Sequence, residues 1–346
     1  MKNACIVGYG SIGPVHAHAL DMCEDATLYA ICDIDKEAAD KGAKEHNAKA
    51  IYSFEEAVTN PDIDVIHICT PHYLHAQMAM DAIANGKDVV LEKPAAMTKE
   101  EFEKLYEFYL NHDKKILVCF QNRTNPCIRM MKELFHNDDS LGALKGITGT
   151  LRWCRMRDYY DRAEWRGTWD YEGGGVIINQ SSHLVDMILL FGGSPEGVKT
   201  SISTKLLEDA IEVEDTADAL FFFENDLRAS FFATNTYSSN LPYELELSFE
   251  NGILRYADNF LYRIDKGEMP KVICSDNKNH PGKDYWGSGH QTVINDFYMT
   301  LEGKRDDYLS IDKSVSSTYA LYAMYESAKN GGKKVEIKKD KLKWNK

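Results

Sequence analysis

Ala4-Cys5-Ile6-Val7-Gly8-Tyr9-Gly10-Ser11-Ile12-Gly13-Pro14 is the stretch that decides the fold. A short apolar run ends in a Gly-x-Gly-x-x-Gly loop, and a helical stretch over 14–22 follows at once. Each glycine has its own task in such a loop. Gly8 allows the tight turn, Gly10 lets the backbone approach a pyrophosphate, and Gly13 lets helix and strand pack closely. Ser11 and Ile12 complete the expected phosphate cradle, which lies at a helix N-terminus where free N–H groups and the dipole favour an anion. Asp33 ends the next apolar run, about 20 residues beyond Gly13. A carboxylate there accepts hydrogen bonds from both adenosine ribose hydroxyls and repels a 2′-phosphate, so NAD is favoured over NADP. Lys36 offers a counter-charge and keeps NADP open.

Outward from the loop, runs at 4–7, 27–32, 50–52, 65–69, 89–92 and 116–121 read as strands. Helical stretches at 36–46, 73–85 and 98–111 alternate with them, the second closed by Gly86. Ser53 to Glu56 and Thr98 to Glu101 each carry a Ser/Thr-x-x-Glu capping pattern. Short, almost wholly apolar strands separated by helices imply a parallel sheet covered on both faces. The first third is therefore predicted to be a doubly wound Rossmann domain of the α/β class, residues 1–122.

The pattern then changes. Runs at 145–155, 198–205, 216–223, 227–236, 243–249 and 253–257 alternate like strands, with turn signals at Glu224-Asn225-Asp226 and Asn251-Gly252. Tightly connected strands imply an antiparallel sheet. With a helix carrying Asn179 and His183, and later helices at 291–301 and 314–329, residues 123–346 are predicted to form an α+β substrate-binding and oligomerisation domain.

Composition excludes other classes. A net charge of -14 over 346 residues argues against a nucleic-acid partner. The basic stretch 333–346, with Trp344 inside it, reads as a solvated end. No run is long enough to cross a membrane, and the first apolar run is too short for a signal sequence. Eight cysteines stand singly, several in strand-like runs, which points to a reducing, cytoplasmic setting. His16 and His18, two apart on a helix, do not share a face, so no metal site is expected of the pair.

Glu92-Lys93-Pro94 ends the fifth strand at the carboxyl edge, where open α/β sheets bind ligands. Pro94 is expected to hold Lys93 in extended geometry. An ammonium losing solvation beside a nicotinamide suits proton exchange with a hydroxyl. The glycine loop, Cys69-Thr70-Pro71 with His75, Gly86-Lys87 and Glu92-Lys93-Pro94 together resemble the glucose–fructose oxidoreductase / inositol dehydrogenase / rhizopine catabolism (Gfo/Idh/MocA) family. Trp165-Arg166-Gly167-Thr168-Trp169, Gly173-Gly174-Gly175, Asn179-Gln180-Ser181-Ser182-His183 and Asp186 resemble the family's second-domain motif, so the resemblance covers nearly the whole chain.

That resemblance implies an NAD(P)-dependent dehydrogenase acting on a sugar or polyol CH–OH group. It implies Thr70, Pro71, His75, Glu92 and Lys93 near the cofactor, and Lys93, Asn179 and His183 as the catalytic set. The family's Asp is Asn179 here, which can orient a hydroxyl but cannot exchange a proton at neutral pH. The family's sheet forms subunit interfaces, which implies a homodimer or homotetramer. Asn122, Arg123, Tyr160, Trp165 and Arg166 are further substrate-contact candidates. The aromatic and basic residues from Trp153 to Trp169 suit a sugar's ring faces and hydroxyls, and equally suit a packed loop. Two rival functions stay open: a glycoside-cleaving enzyme that oxidises its substrate transiently, and a cofactor-binding regulator without chemistry.

Overall fold

The computed structural model describes residues 1–204, 206–276 and 288–337. Lys205, at the end of one expected strand, and most of the basic stretch (338–346, with Trp344) lie outside the described residues. The chain forms two compact units, Met1–Gln121 with Ser288–Ser314, and Asn122–Gly287 with Val315–Lys346. The single boundary at 122 is thus corrected: the chain returns to its first unit late. Helix Gly289–Leu301 packs on helix Gly13–Asp21, with Val293, Ile294, Phe297 and Tyr298 in the same buried cluster as Ala17 and Leu20.

The first unit is a six-stranded parallel sheet of β1 (Lys2–Val7), β2 (Ala26–Cys32), β3 (Lys49–Ile51), β4 (Val65–Ile68), β5 (Asp88–Leu91) and β6 (Ile116–Val118). Their order, β3-β2-β1-β4-β5-β6, is the doubly wound Rossmann arrangement. Ala4, Cys5, Ile6, Ile31, Ile66 and Ile68 are wholly buried, as strands covered on both faces require. Local chemistry starts the helices. Asp35 accepts from the N–H groups of Glu37 and Ala38 at the head of Lys36–His46. Thr98 and Glu101 close a reciprocal capping box on Lys99–Leu110. Of the Ser53 pattern only half forms, with Glu56 N–H donating to Ser53 Oγ at 3.2 Å. The stretch predicted as one helix over 73–85 is divided into a short 3-10 turn, His72–Leu74, and the helix His75–Ala84.

The second unit carries a nine-stranded sheet. Its strands are β7 (Leu144–Arg152), β8 (Gly197–Ser203), β9 (Thr216–Phe222), β10 (Arg228–Thr234), β11 (Glu244–Phe249), β12 (Gly252–Ala257), β13 (Phe260–Asp265), β14 (Lys271–Ser275) and β15 (Val335–Glu336). They lie in the order β14-β13-β12-β11-β7-β10-β9-β8-β15. The expected antiparallel pairing holds except at β7 and β10, which run parallel with Ile147 opposite Ala229. Strands β9 and β10 alternate, burying Ala217, Ala219, Phe221, Ala229, Phe231 and Ala233 while Leu220 and Phe232 stay exposed. Helix Ser182–Gly192 packs on the buried face, where Leu184 and Ile188 meet Gly149 of β7. A Cβ at Gly149 would lie 2.9 Å from the ends of both side chains, so any larger residue there would make them shift.

Candidate active site

The glycine loop is built as its spacing requires. Gly8 sits at φ +92°, and a Cβ there would stand 2.7 Å from the Cys69 carbonyl oxygen. At Gly13 a Cβ would meet the Gly8 carbonyl at 2.6 Å. Gly10 is different: no protein atom lies within 4 Å of the position its Cβ would take. The loop thus leaves open space at Gly10, in front of the N-terminus of helix Gly13–Asp21. Asp33 is held beside it, accepting from Tyr9 N–H on Oδ2 at 2.7 Å and from Asp35 N–H on Oδ1 at 2.9 Å. Open space at Gly10, a helix N-terminus and a fixed, half-buried carboxylate fit a dinucleotide with free ribose hydroxyls.

Several motif residues serve the scaffold. His75 Nδ1 lies 2.7 Å from the Pro94 carbonyl oxygen and Nε2 lies 2.8 Å from that of Thr70. This buried ring ties the loop after β4 to the Lys93-Pro94 segment. Lys87 Nζ donates to the carbonyls of Asn60 at 2.6 Å and Ile63 at 2.7 Å, anchoring a turn. Thr70 and Pro71 stay half-buried at the carboxyl edge, where the N–H of Thr70 passes close to Gly8.

Glu92 also departs from expectation. Its carboxylate is buried and faces inward, with Oε1 3.0 Å from His16 Nε2 and 3.5 Å from His290 Nε2. His16 Nδ1 lies 2.9 Å from His67 Nδ1, and His67 Nε2 lies 2.8 Å from the Tyr298 hydroxyl. One proton arrangement satisfies the whole chain: Tyr298 O–H donates to His67, His67 to His16, and His16 to Glu92. Burial pushes the Glu92 carboxyl up, but the hydrogen bond from His16 and the nearby His290 ring outweigh it and hold the group well below its usual range. Burial, with the neighbouring His16, pushes the His67 pKa well down, and burial lowers His290. Lys93 follows Glu92, half-buried past the end of β5, and joins Pro94 through a cis peptide. His16 meets other ligand-type groups, Glu92 and His290, and not His18.

In the second unit, Asn179 and His183 do not share one helix. Asn179 lies in a wide π-type turn, Val176–Gln180, and His183 in the separate helix Ser182–Gly192. The turn is imposed from outside. Buried Glu214 accepts from the N–H groups of Gly175 at 3.0 Å and Ile177 at 2.9 Å, and Ser181 N–H reaches back to the Val176 carbonyl at 2.8 Å. Both Asn179 and His183 remain half-buried while their neighbours Ile178, Gln180 and Ser182 are buried, so the two keep solvent access. Asn179 Nδ2 donates to Glu172 Oε1, a contact no spacing rule foresaw.

The remaining candidates divide. Arg123 makes a two-pronged pair with wholly buried Asp186, Nε to Oδ2 at 2.8 Å and Nη2 to Oδ1 at 2.5 Å, so its head group is structural. Tyr160 is buried with Leu207, Ile211 and Val213, and its hydroxyl accepts from Asn235 Nδ2 at 3.1 Å. Arg166 lies over the Tyr159 ring at 4.3 Å and the Trp165 ring at 5.5 Å, and Arg155 over Trp153 at 4.7 Å. This stretch is a packed cation–π stack. Asn122 is buried, and its Oδ1 has no hydrogen-bond partner among the described residues.

A Rossmann sheet with an open glycine loop, a fixed carboxylate beside it and a lysine at the fifth strand's carboxyl edge fits an NAD-binding oxidoreductase. Residues 2–120 match the model described as "Oxidoreductase family, NAD-binding Rossmann fold", and residues 128–255 match "GFO/IDH/MocA C-terminal domain". The chain belongs to the Gfo/Idh/MocA family. An uncharacterized oxidoreductase of Synechocystis sp. is 27% identical over 72% of this chain and 70% of its own. Levoglucosan dehydrogenase of Pseudarthrobacter phenanthrenivorans is 29% identical over 47% of this chain and 41% of its own length. Among solved structures, the WlbA dehydrogenase of Bordetella pertussis in complex with NADH and UDP-GlcNAcA superposes with a TM-score of 0.85. It is 26% identical, with 98% of this chain and 99% of that one covered. No helix among the described residues is long and apolar enough to cross a membrane.

Proposed function

We propose that this protein is an NAD-dependent dehydrogenase that oxidises a hydroxyl-bearing carbon of a sugar, sugar derivative or polyol. The observation that carries the reading is the Asp33 carboxylate, pinned by Tyr9 N–H beside a loop left open at Gly10. The substrate class rests on relatives that act on or bind sugars, levoglucosan dehydrogenase and the WlbA complex with UDP-GlcNAcA. Bound nicotinamide supplies the hydride acceptor, and the chain supplies placement and proton control. Lys93 and His183 exchange the hydroxyl proton, and Asn179 orients the hydroxyl without carrying a proton itself. Trp165 and Arg166 keep a role at the sugar only through their exposed edges, since their faces are committed to the stack. The open face of the nine-stranded sheet, with Leu220 and Phe232 exposed, pairs with a second copy of the chain.

The test follows nicotinamide absorbance against a panel of sugars, polyols, sugar nucleotides and glycosides, with NAD and NADP in parallel and Lys93→Ala beside wild type. Turnover with NAD on a free sugar or polyol, lost in the variant, is expected. Release of sugar from a glycoside without net reduction would identify the transient-oxidation chemistry instead. Cofactor binding with no reaction on any compound would leave a regulator.

A further inference from the structure

We propose that Glu172 is a positioning residue: its carboxylate takes the Asn179 amide N–H and thereby turns the Asn179 carbonyl oxygen toward the substrate hydroxyl. The inference rests on the dehydrogenase reading above. It explains how an Asn serves where the family carries an Asp. An ionised carboxylate only accepts hydrogen bonds, so the Asn179 group facing it must be the NH2, and Oδ1 is left facing away. A hydroxyl O–H approaching Asn179 then meets an acceptor oxygen, as it would at a carboxylate.

The second unit builds this contact deliberately. Glu172 is 1% exposed, whereas Asn179 keeps solvent access. Glu172 Oε1 accepts from Asn179 Nδ2, and Oε2 accepts from Gly167 N–H at 2.5 Å. The chain reverses between the two residues through Gly173 at φ +83° and Gly174 at φ +149°. A Cβ at Gly174 would stand 2.0 Å from the Tyr325 hydroxyl oxygen, and one at Gly175 2.0 Å from the Glu214 carbonyl oxygen. Gly174 and Gly175 thus let the backbone between Glu172 and Asn179 pass close to Tyr325 and Glu214.

The same carboxyl is poised to respond to pH. Burial pushes its pKa up to about 7, helped by the charge of Glu214 and opposed by Gly167 N–H, Asn179 and Arg166. Tyr160 and Tyr325 are the other titratable groups that sense it. Below that pH the carboxyl gains an O–H, which donates to Asn179 Oδ1. The amide then turns its NH2 outward and the acceptor is lost. Reactivity thus falls as pH falls through neutrality.

Glu172→Gln and the exchanged pair Glu172→Gln with Asn179→Asp separate orientation from mere packing. In the exchanged pair the new amide at position 172 donates to one oxygen of the new carboxylate at position 179. The other oxygen still faces the substrate, at unchanged net charge. The readout is the pH profile of kcat/KM on whichever panel compound wild type oxidises, with NADH binding and thermal midpoint as folding controls. E172Q is expected to lose about tenfold in kcat/KM above neutral pH and to lose the acid limb near neutrality. The exchanged pair is expected to recover most of that rate. An E172Q enzyme with wild-type rate and profile overturns the proposal. Infrared pH-difference spectra decide it without turnover. A buried carboxyl band and a shifted Asn179 side-chain amide band are expected together, both absent in E172Q. Their absence in wild type overturns the proposal, whereas silence of every panel compound overturns only the dehydrogenase reading.

Discussion

The backbone N–H of Tyr9 donates to Asp33 Oδ2 across 2.7 Å, so the residue between the first two loop glycines fixes the carboxylate at the end of the second strand. Cofactor recognition is thereby coupled to loop geometry. Asp33→Asn keeps one acceptor but loses the charge, and hydrogen bonds to charged groups contribute about 1.5–3 kcal/mol. NADH affinity measured by fluorescence titration is expected to fall roughly 10–100-fold. NADPH affinity should rise relative to it, since the repulsive charge has gone.

Two glycines of one loop should fail in opposite ways. Gly8→Ala forces a Cβ against the Cys69 carbonyl at a left-handed φ, so thermal stability is expected to drop by about 1–3 kcal/mol. Gly10→Ala meets no protein atom. Its thermal midpoint should match wild type while NADH binding weakens, because the methyl enters the space kept for the cofactor. Calorimetry with and without NADH distinguishes the two.

Arg123 and Asp186 offer a test of structure against substrate contact. Arg123→Ala strands a wholly buried carboxylate and is expected to cost about 3–5 kcal/mol in urea unfolding. Replacing both, Arg123→Met with Asp186→Leu, should recover much of that loss. A substrate-binding arginine would instead raise KM and leave stability unchanged.

The buried chain from Tyr298 to Glu92 predicts acid sensitivity. Glu92 has a depressed folded pKa, so its stabilisation is present above its unfolded value and lost as pH falls through the folded one. His67 and His290 are also depressed, so the unfolded chain binds their protons first and stability falls once pH drops below about 6.5. Unfolding free energy should therefore decline from neutral pH downward. His67→Phe should make the decline shallower and cost about 2–4 kcal/mol at neutral pH, by leaving His16 and Tyr298 unpaired.

The Rossmann half was legible because its signals are local. Strand period, capping boxes and the glycine spacing all lie within short windows, and boundaries moved by at most three residues, at the end of β6. The misses have physical causes. Phe260–Asp265 and Lys271–Ser275 lie toward the sheet edge with blurred burial, so no clean alternation marks them. Helix Pro126–Asn137 carried a usable signal, Asn125 before a proline in the first turn, that the reading passed over. Pairing of β7 with β10, and the meeting of His16 with His290, join residues far apart in sequence, which no periodicity records. Asn179 did not keep its expected helix, because Glu214 and Ser181 reshape that turn from outside it. Glu172 lies between the two quoted second-domain motifs, immediately before the three glycines, and no local pattern singles it out.

The late return of helix Gly289–Leu301 has a consequence for biogenesis. Val293, Ile294, Phe297 and Tyr298 seal the hydrophobic surface of helix Gly13–Asp21, yet the ribosome makes them only after the whole nine-stranded sheet except β15. During synthesis the nascent Rossmann sheet emerges first but stays unsealed on one flank, with Ala17, Leu20 and Cys23 lacking their cover. Its sealing comes late although its sequence comes first, and a holdase chaperone has that flank to recognise until helix Gly289–Leu301 leaves the exit tunnel.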